Sequence, residues 1–327
     1  MADTDNRATA HPHSHPHPHP HPHPHPRIAF AGGTLDHADH LRTDDDAERL
    51  RRLDTSRAVL VAPEGDVAIT AAGTLCLFPV ASLPPDAPLT LLGLDPSGAA
   101  VFAYDTLNFG APDRQPFASL RSLAAELDSA EAALAAYAVA MVNWHRVNRY
   151  CGRSGDATEV EAAGHRRRCP ACGLVQFPRT DPAVTMLVQC GEEALLSRRH
   201  GAPSNRWSAL AGFLEPGETP EEAVIREAHE ETGISIAAVE YVASQPWPFP
   251  SALMLGFWAF VDPSDAGVPD PRAGELVEAR WFARAELTAA RDEGSVALPP
   301  PGTIGNYLIS TWLAGKPDET PPLGAPG

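Results

Sequence analysis

No run of apolar side chains in these 327 residues approaches the ~20 that a membrane-crossing helix needs, so a helical membrane protein is excluded as a reading. The opening 26 residues lack the basic start and apolar middle of a secretory signal, and a soluble cytoplasmic protein is therefore expected. Positive charge is scarce. The chain has 25 Lys and Arg against 42 Asp and Glu, a net charge of -17, so its long-range field repels nucleic acid and anionic membrane. A polyanionic substrate must be held locally, by metal ions or a few placed cationic side chains. Cysteine is scarce too: Cys76, Cys151, Cys169, Cys172 and Cys190 are an odd set with three grouped around a CxxC, which suits metal binding in a reducing compartment better than a disulfide framework.

What is present divides the chain. Residues 1–26 end in a near-pure His-Pro alternation, where proline fixes φ and removes backbone donors, so an extended, unpacked tail is expected. Its clustered imidazoles can capture transition metals loosely or simply solubilise the chain, and nothing in it fixes a coordination geometry. Residues 27–148 read as an N-terminal α+β domain: short apolar runs at 58–62, 74–78, 89–94 and 99–104 predict strands, and 118–147 predicts two successive helices broken near Asp128 and Ser129. A Cys- and Gly-rich segment covers 149–178. Residues 179–316 alternate apolar runs with a strong helix at 220–232 and a last helix at 304–313, which predicts an α/β sandwich. The Pro-rich remainder, 317–327, is expected to fray.

The chemistry concentrates in residues 212–234, GFLEPGETPEEAVIREAHEETGI. Thr219 reads as an N-cap, Pro220 as the first helical residue, Glu222 as the partner in a capping box, and Gly233 as the stop. Within that helix Glu227, Glu230 and Glu231 stand at i, i+3 and i+4, three carboxylates on one face. Like charges so crowded raise one another's pKa unless a divalent cation neutralises them, and hard oxygen ligands suit Mg²⁺ or Mn²⁺. Val224 and Ala228 are left to pack on a sheet. An ordinary solvated acidic helix would explain three glutamates but not the complete spacing.

That spacing, from Gly212 through Glu218 and Arg226-Glu227 to Glu230-Glu231-Thr232-Gly233-Ile234, resembles the Nudix box, with Ala228 where a larger aliphatic residue is usual. The resemblance implies an α/β/α sandwich, a mixed sheet between helices, and divalent metals held by Glu227, Glu231, the main-chain carbonyl of Ala211 and Glu275. Glu230 would assist and Arg226 would orient Glu227. The string SQPWPFP followed by Ser251 and Ala252 is similar to the signature of the NADH pyrophosphatase family, with Ala252 replacing its final serine. Three prolines among Trp247 and Phe249 read as a stiff loop with an aromatic surface that can stack on a base or bury at an interface. By resemblance Gln245, Pro246, Trp247, Pro248, Phe249, Pro250, Ser251 and Ala252 line a dinucleotide, with Phe177 and Gly305 as further contacts.

Residues 30–42, 136–152 and 299–309 also resemble this family, so the likeness spans most of the chain beyond the tail. It implies a zinc ribbon whose first CxxC reads Cys151-Gly-Arg-Ser154 here. Serine is a poor zinc ligand. Cys151, Cys169 and Cys172 can still bind zinc if Asp156, His165 or water completes the shell, and the alternative is a relic ribbon held by packing. The implied activity is metal-dependent cleavage of NADH or NAD⁺ to nicotinamide mononucleotide and AMP by a homodimer, with NAD-capped RNA as a further substrate. A general Nudix hydrolase of nucleoside diphosphates and a non-catalytic sensor of NAD or ADP-ribose are the competing readings. A His-rich metal store would explain only the tail.

Overall fold

The computed structural model describes residues 28–112, 115–271 and 274–315; the His-Pro tail and residues 317–327 lie outside the described residues. The first unit contains α1 (Asp44–Arg51), β1 (Arg57–Val61), β2 (Asp66–Ala68), β3 (Leu77–Pro79), β4 (Leu89–Leu94), β5 (Ala100–Asp105), α2 (Thr106–Phe109), β6 (Phe117–Ser119), α3 (Leu120–Leu123) and α4 (Ser129–Val147). Of the two helices predicted over 118–147, the first shrinks to the single turn of α3. The second starts where Asp128 caps the backbone N–H groups of Ala130 and Glu131. The strand predicted at 74–78 is displaced to Leu77–Pro79, with Leu75 making only an isolated bridge to Ile69. Sequence periodicity also missed α1, whose Thr43 accepts from the Asp46 N–H as N-cap.

A small antiparallel sheet of β7 (Glu159–Glu161), β8 (Arg166–Arg168) and β9 (Val175–Gln176) follows, and then the second large unit. This comprises β10 (Asp181–Cys190), β11 (Glu193–Arg199), β12 (Leu210–Phe213), α5 (Pro220–Thr232), β13 (Ala238–Trp247), β14 (Ala252–Phe260), β15 (Leu276–Ala283), α6 (Arg284–Asp292) and α7 (Ile304–Leu313). Alternation along β10 divides its side chains between two layers. Val184, Met186 and Val188 pack with Ala223, Val224 and Ala228 of α5. Leu187 packs on the other face with Leu308, Ile309 and Trp312 of α7. The predicted sandwich is therefore present, and Ala228 is fully buried against the sheet.

Two sheets share one topology. The second runs β13-β14-β10-β11-β15 with β12 on β10, and the first runs β4-β5-β1-β2-β6 with β3 on β1. In each, the central pair is parallel (β10 with β14, β1 with β5) and its first strand splits its free edge between two antiparallel partners. Strand for strand, the N-terminal sheet repeats the second one, a relation that the residue pattern did not reveal. The repeat is incomplete at one point: between β12 and β13 lies α5, whereas between β3 and β4 lies only a short 3-10 turn at Val80–Ser82.

Candidate active site

The start of α5 is the capping box expected from sequence. Thr219 Oγ1 accepts from the Glu222 N–H at 3.2 Å, and the Glu222 carboxylate accepts from the Thr219 N–H at 2.7 Å. Gly233 ends the helix in the left-handed region at φ 73°. Locally encoded ends and a buried apolar face fix the rotation of the helix, and that rotation sends the acidic side chains toward β12. There Gly212 is indispensable, because a Cβ at this position would overlap the carboxylate of Glu227. Glycine is needed here for close approach, not for an unusual φ.

Arg226 organises the rim of the site. Its Nε and Nη2 grip both oxygens of Glu218 at 2.7 and 2.9 Å, its Nη1 donates to Glu227 at 3.0 Å and to Glu230 at 2.9 Å, and Nη2 also reaches the Phe213 carbonyl at 2.9 Å. The bidentate grip holds the Glu218 carboxyl below its ordinary range. Glu230 is more than half exposed and drawn to Arg226, whereas Glu231, the next residue, is 3% exposed.

Glu231 is the electrostatic centre. Burial pushes its pKa up to about 7 despite the charge of Arg199, with Glu227 and Glu275 adding to the rise. Its Oε1 accepts from Arg199 Nη2 at 2.8 Å, while Oε2 is buried without a hydrogen-bond partner. The same Nη2 donates to the main-chain carbonyl of Ala211, and Arg199 Nη1 lies 3.6 Å from Glu275. One guanidinium thus gathers Ala211, Glu231 and Glu275, three of the four expected metal ligands, and Glu227 joins them through Gly212. A β-bulge between Arg198 and Arg199, opposite β15, marks the strand end from which this arginine reaches.

The donor set fits a hard divalent cation. It consists only of oxygens, its three carboxylates face only Arg199 and an Arg226 shared with Glu218 and Glu230, and it contains an orphaned buried carboxylate oxygen. Arg199 and Glu218 are the functional residues that sequence reasoning passed over. Glu218 stood inside the recognised spacing without a role, and Arg199 left no sequence signal beyond an Arg-Arg at a strand end.

The residues expected at a dinucleotide are distributed differently. Ser244–Trp247 is not loop but the end of β13, paired with β14 from Gln245↔Met254 to Trp247↔Ala252, and only the following Pro248 to Ser251 make the turn. Pro246 lies in the strand opposite Leu253, and Pro248 and Pro250 fall in the turn. Gln245 is 1% exposed, donates to the carbonyls of Ala29 and Gly302 at 3.0 and 2.9 Å, and accepts from the Ile304 N–H at 2.9 Å. It ties Ala29 to the segment before α7, the helix on which Gly305 sits. Trp247 and Phe249 meet edge to face at 5.1 Å and pack at an angle against Phe30 at 6.0 and 6.1 Å, and Arg121 lies 4.1 Å over Phe249. These rings join the core of the first unit. Pro246 and Pro250 are exposed and Pro248 is buried. Ser251 donates to Asp181 at 2.6 Å, which holds that carboxyl low, while Ala252 opens β14 beside Asp181. Phe177 is 65% exposed.

In the loops flanking the small sheet, Cys151, Cys169 and Cys172 bring their sulfurs within 4.8 Å of one another. Ser154 Oγ lies 3.3 Å from the Cys169 sulfur. His165 Nε2 donates to the Leu91 carbonyl at 2.6 Å, so it is Ser154, by its contact with the Cys169 sulfur, that stands at the fourth position. The backbone N–H of Ser154, and then its hydroxyl, hold the Cys151 thiol down to about 6, which favours the metal-binding thiolate.

Residues 179–299 match the NUDIX domain, residues 146–177 the NADH pyrophosphatase zinc ribbon domain, and residues 43–144 the NADH pyrophosphatase-like rudimentary NUDIX domain. The chain is 38% identical over 299 residues to the NAD-capped RNA hydrolase NudC of Mycobacterium bovis, covering 85% of this chain and 92% of that relative. The chain belongs to the NADH pyrophosphatase family of Nudix hydrolases. Within the family it is also 38% identical over 210 residues to NudC of Pseudomonas aeruginosa, covering 63% of this chain and 70% of the relative. To the mouse mitochondrial NAD(P)H pyrophosphatase NUDT13 it is 37% identical over 209 residues, 60% of this chain and 59% of that one. Membership in this family makes the chain a pyrophosphohydrolase with a divalent-metal requirement. The rudimentary match falls on the sheet that repeats the Nudix topology without an equivalent of α5, and hence without its glutamates.

Proposed function

We propose that this chain hydrolyses the diphosphate bridge of NADH and NAD⁺ to nicotinamide mononucleotide and AMP, and that it removes the same moiety from NAD-capped RNA. The observation that carries the reading is the half-satisfied carboxylate of Glu231, buried beside Glu227, the Ala211 carbonyl and Glu275. The names of the NudC and NUDT13 relatives support the substrate. Mg²⁺ or Mn²⁺ would be held by Glu227, Glu231, Glu275 and the Ala211 carbonyl, and when bound would acidify a water and offset charge on the diphosphate. Arg226 keeps Glu227 oriented and Glu230 at the rim, and Gly212 keeps the β12 backbone out of the way of Glu227. A carboxylate at the site accepts the proton of the attacking water. A net charge of -17 disfavours broad RNA affinity, so a capped transcript would be recognised at its dinucleotide end.

Zinc beside the small sheet, bound by Cys151, Cys169 and Cys172 with Ser154 at the fourth position, is part of this proposal. So are a homodimer, carried by the family resemblance, and a cytoplasmic location, carried by the composition. The primary test incubates the purified chain with NADH and Mg²⁺ or Mn²⁺ and identifies the products. Nicotinamide mononucleotide and AMP are expected. Release of free nicotinamide, or turnover of ADP-ribose equal to that of NADH, would overturn the assignment in favour of glycosidic cleavage or a general Nudix hydrolase. Light scattering and cell fractionation test the dimer and the location.

A further inference from the structure

Away from the carboxylate site, a cavity of about 400 Å³ opens between the first unit and the cysteine-bearing sheet. Arg146, Arg149 and Arg167 all line it, together with His145, Asp105 and Tyr150. For a chain this acidic such a concentration of guanidinium is unusual. The charges do not cancel. Arg146 is neutralised by Asp105, at 2.5 Å, and its remaining donors go to the carbonyls of Val61, Ala62 and Pro63.

Arg167 has no such counter-ion. It is 8% exposed and donates only to neutral groups: Nε to Thr158 Oγ1 at 2.7 Å, Nη2 to the Thr158 carbonyl at 2.9 Å, and Nη1 to His145 Nδ1 at 3.0 Å. Because Nδ1 accepts that bond, His145 carries its proton on Nε2 and donates it to Thr90 at 3.1 Å. Desolvation and the repulsion of Arg149 both depress the basicity of Arg167. Among the described residues no carboxylate pairs with Arg149 or Arg167. A buried guanidinium without an anion carries a large desolvation cost, and a second one converging on the same space adds to it.

We infer that this cavity, walled by Arg149, Arg167, Thr90 and Tyr150, is a binding site for a phosphomonoester, separate from the carboxylate site. Charge selects the class: two unneutralised guanidiniums match a phosphomonoester dianion, which carries between one and a half and two negative charges near neutral pH, better than a single carboxylate. Shape selects the body. Leu89, Val142 and Val160 supply apolar wall around the cationic end, and the volume falls within the range of small-molecule pockets. The shared chemistry is the phosphate dianion, whether free phosphate or the phosphomonoester of a nucleoside monophosphate or of the 5′ end of an oligonucleotide.

The test titrates the full-length protein calorimetrically, without added divalent cation, with inorganic phosphate, AMP and a 5′-phosphorylated hexanucleotide in turn, using acetate as the monoanion control. Saturable binding is expected for at least one of the three phosphate probes and not for acetate. Arg149→Glu, at an exposed position that leaves the buried network in place, should weaken it tenfold or more, because a charge-assisted contact becomes a repulsion. Glu231→Gln should leave it unchanged. Which of the three probes binds tightest identifies the source. Binding that survives Arg149→Glu and vanishes in Glu231→Gln would place the ligand in the carboxylate site and overturn the inference. Absence of saturable binding by all three probes up to roughly ten millimolar would overturn it as well. A crystal soaked in the binding probe should show the phosphate within hydrogen-bond distance of Arg167.

Discussion

At Glu231 two opposing demands meet. A carboxylate 3% exposed is costly to keep charged, which is why its pKa rises to about 7, yet one of its oxygens has no donor at all. A divalent cation resolves both. Glu231→Gln keeps the shape and one acceptor oxygen but removes the charge, so turnover of NADH should fall on the order of a hundredfold or more in a protein that remains folded. Steady-state kinetics with circular dichroism checks this, and near-normal turnover in a folded variant would take Glu231 out of the metal site. Arg199 was invisible in the sequence because its partners are 12, 32 and 76 residues away in the chain, and only the packing of α5 against the sheet brings them together. Glu227 and Glu231 were legible because one helix turn separates them.

At the scale of elements, the cysteine-bearing sheet and the helix beneath it make separate predictions. Three sulfurs and one hydroxyl supply the four donors a zinc ion takes, so close to one zinc per chain is expected by elemental analysis after dialysis, held more weakly than by four thiolates. Ser154→Cys should slow its loss to a chelator. Zinc-free protein of unchanged thermal stability would instead leave a ribbon held by packing alone. On α4, His145 has its pKa lowered to about 4, chiefly by burial and then by the charge of Arg167, with a smaller contribution from His165 opposed by Asp105. Its folded value lies below its unfolded value of 6.5, so above pH 6.5 both states are neutral and nothing is lost. As pH falls from 6.5 toward 4 the unfolded chain takes up the proton first, and stability drops by a few kcal/mol, since a tenfold difference in proton affinity is worth ~1.4 kcal/mol. Urea unfolding at pH 7 and pH 4.5 should show this drop, and His145→Gln should flatten it. An equal drop in the variant would assign it to other groups, such as His37 and His165, whose pKa values are also lowered.

Among the described residues two large sheets share one topology, with the small sheet between them in the chain, and only the second large sheet carries the catalytic helix. The string that looks most like a substrate loop is also a structural joint between them: Gln245 binds Ala29 to the segment before α7, and Trp247 and Phe249 enter the core of the first unit around Phe30 and Arg121. Trp247→Ala should therefore lower stability by roughly 2 kcal/mol, less than for a fully buried tryptophan because this ring is only half-buried. Thermal unfolding measures that. A variant with an unchanged melting temperature but a narrowed preference for NADH over ADP-ribose would show instead that the ring serves base stacking and not the joint.

What the sequence determined by itself is local: the capping box that starts α5, the glycine that ends it, the carboxylates one turn apart, the CxxC, and the alternation that builds the two layers on β10. Each depends on neighbours within a few residues, where backbone geometry fixes the spacing. Tertiary structure decided what depends on distant partners: that Arg199 gathers Ala211, Glu231 and Glu275, that Ser154 and not His165 stands beside the three cysteines, and that Gln245 faces protein on all sides. It also decided that the N-terminal sheet repeats the second, because strand order follows from pairing across the whole chain, and hydrophobic alternation records only which face of a strand is buried.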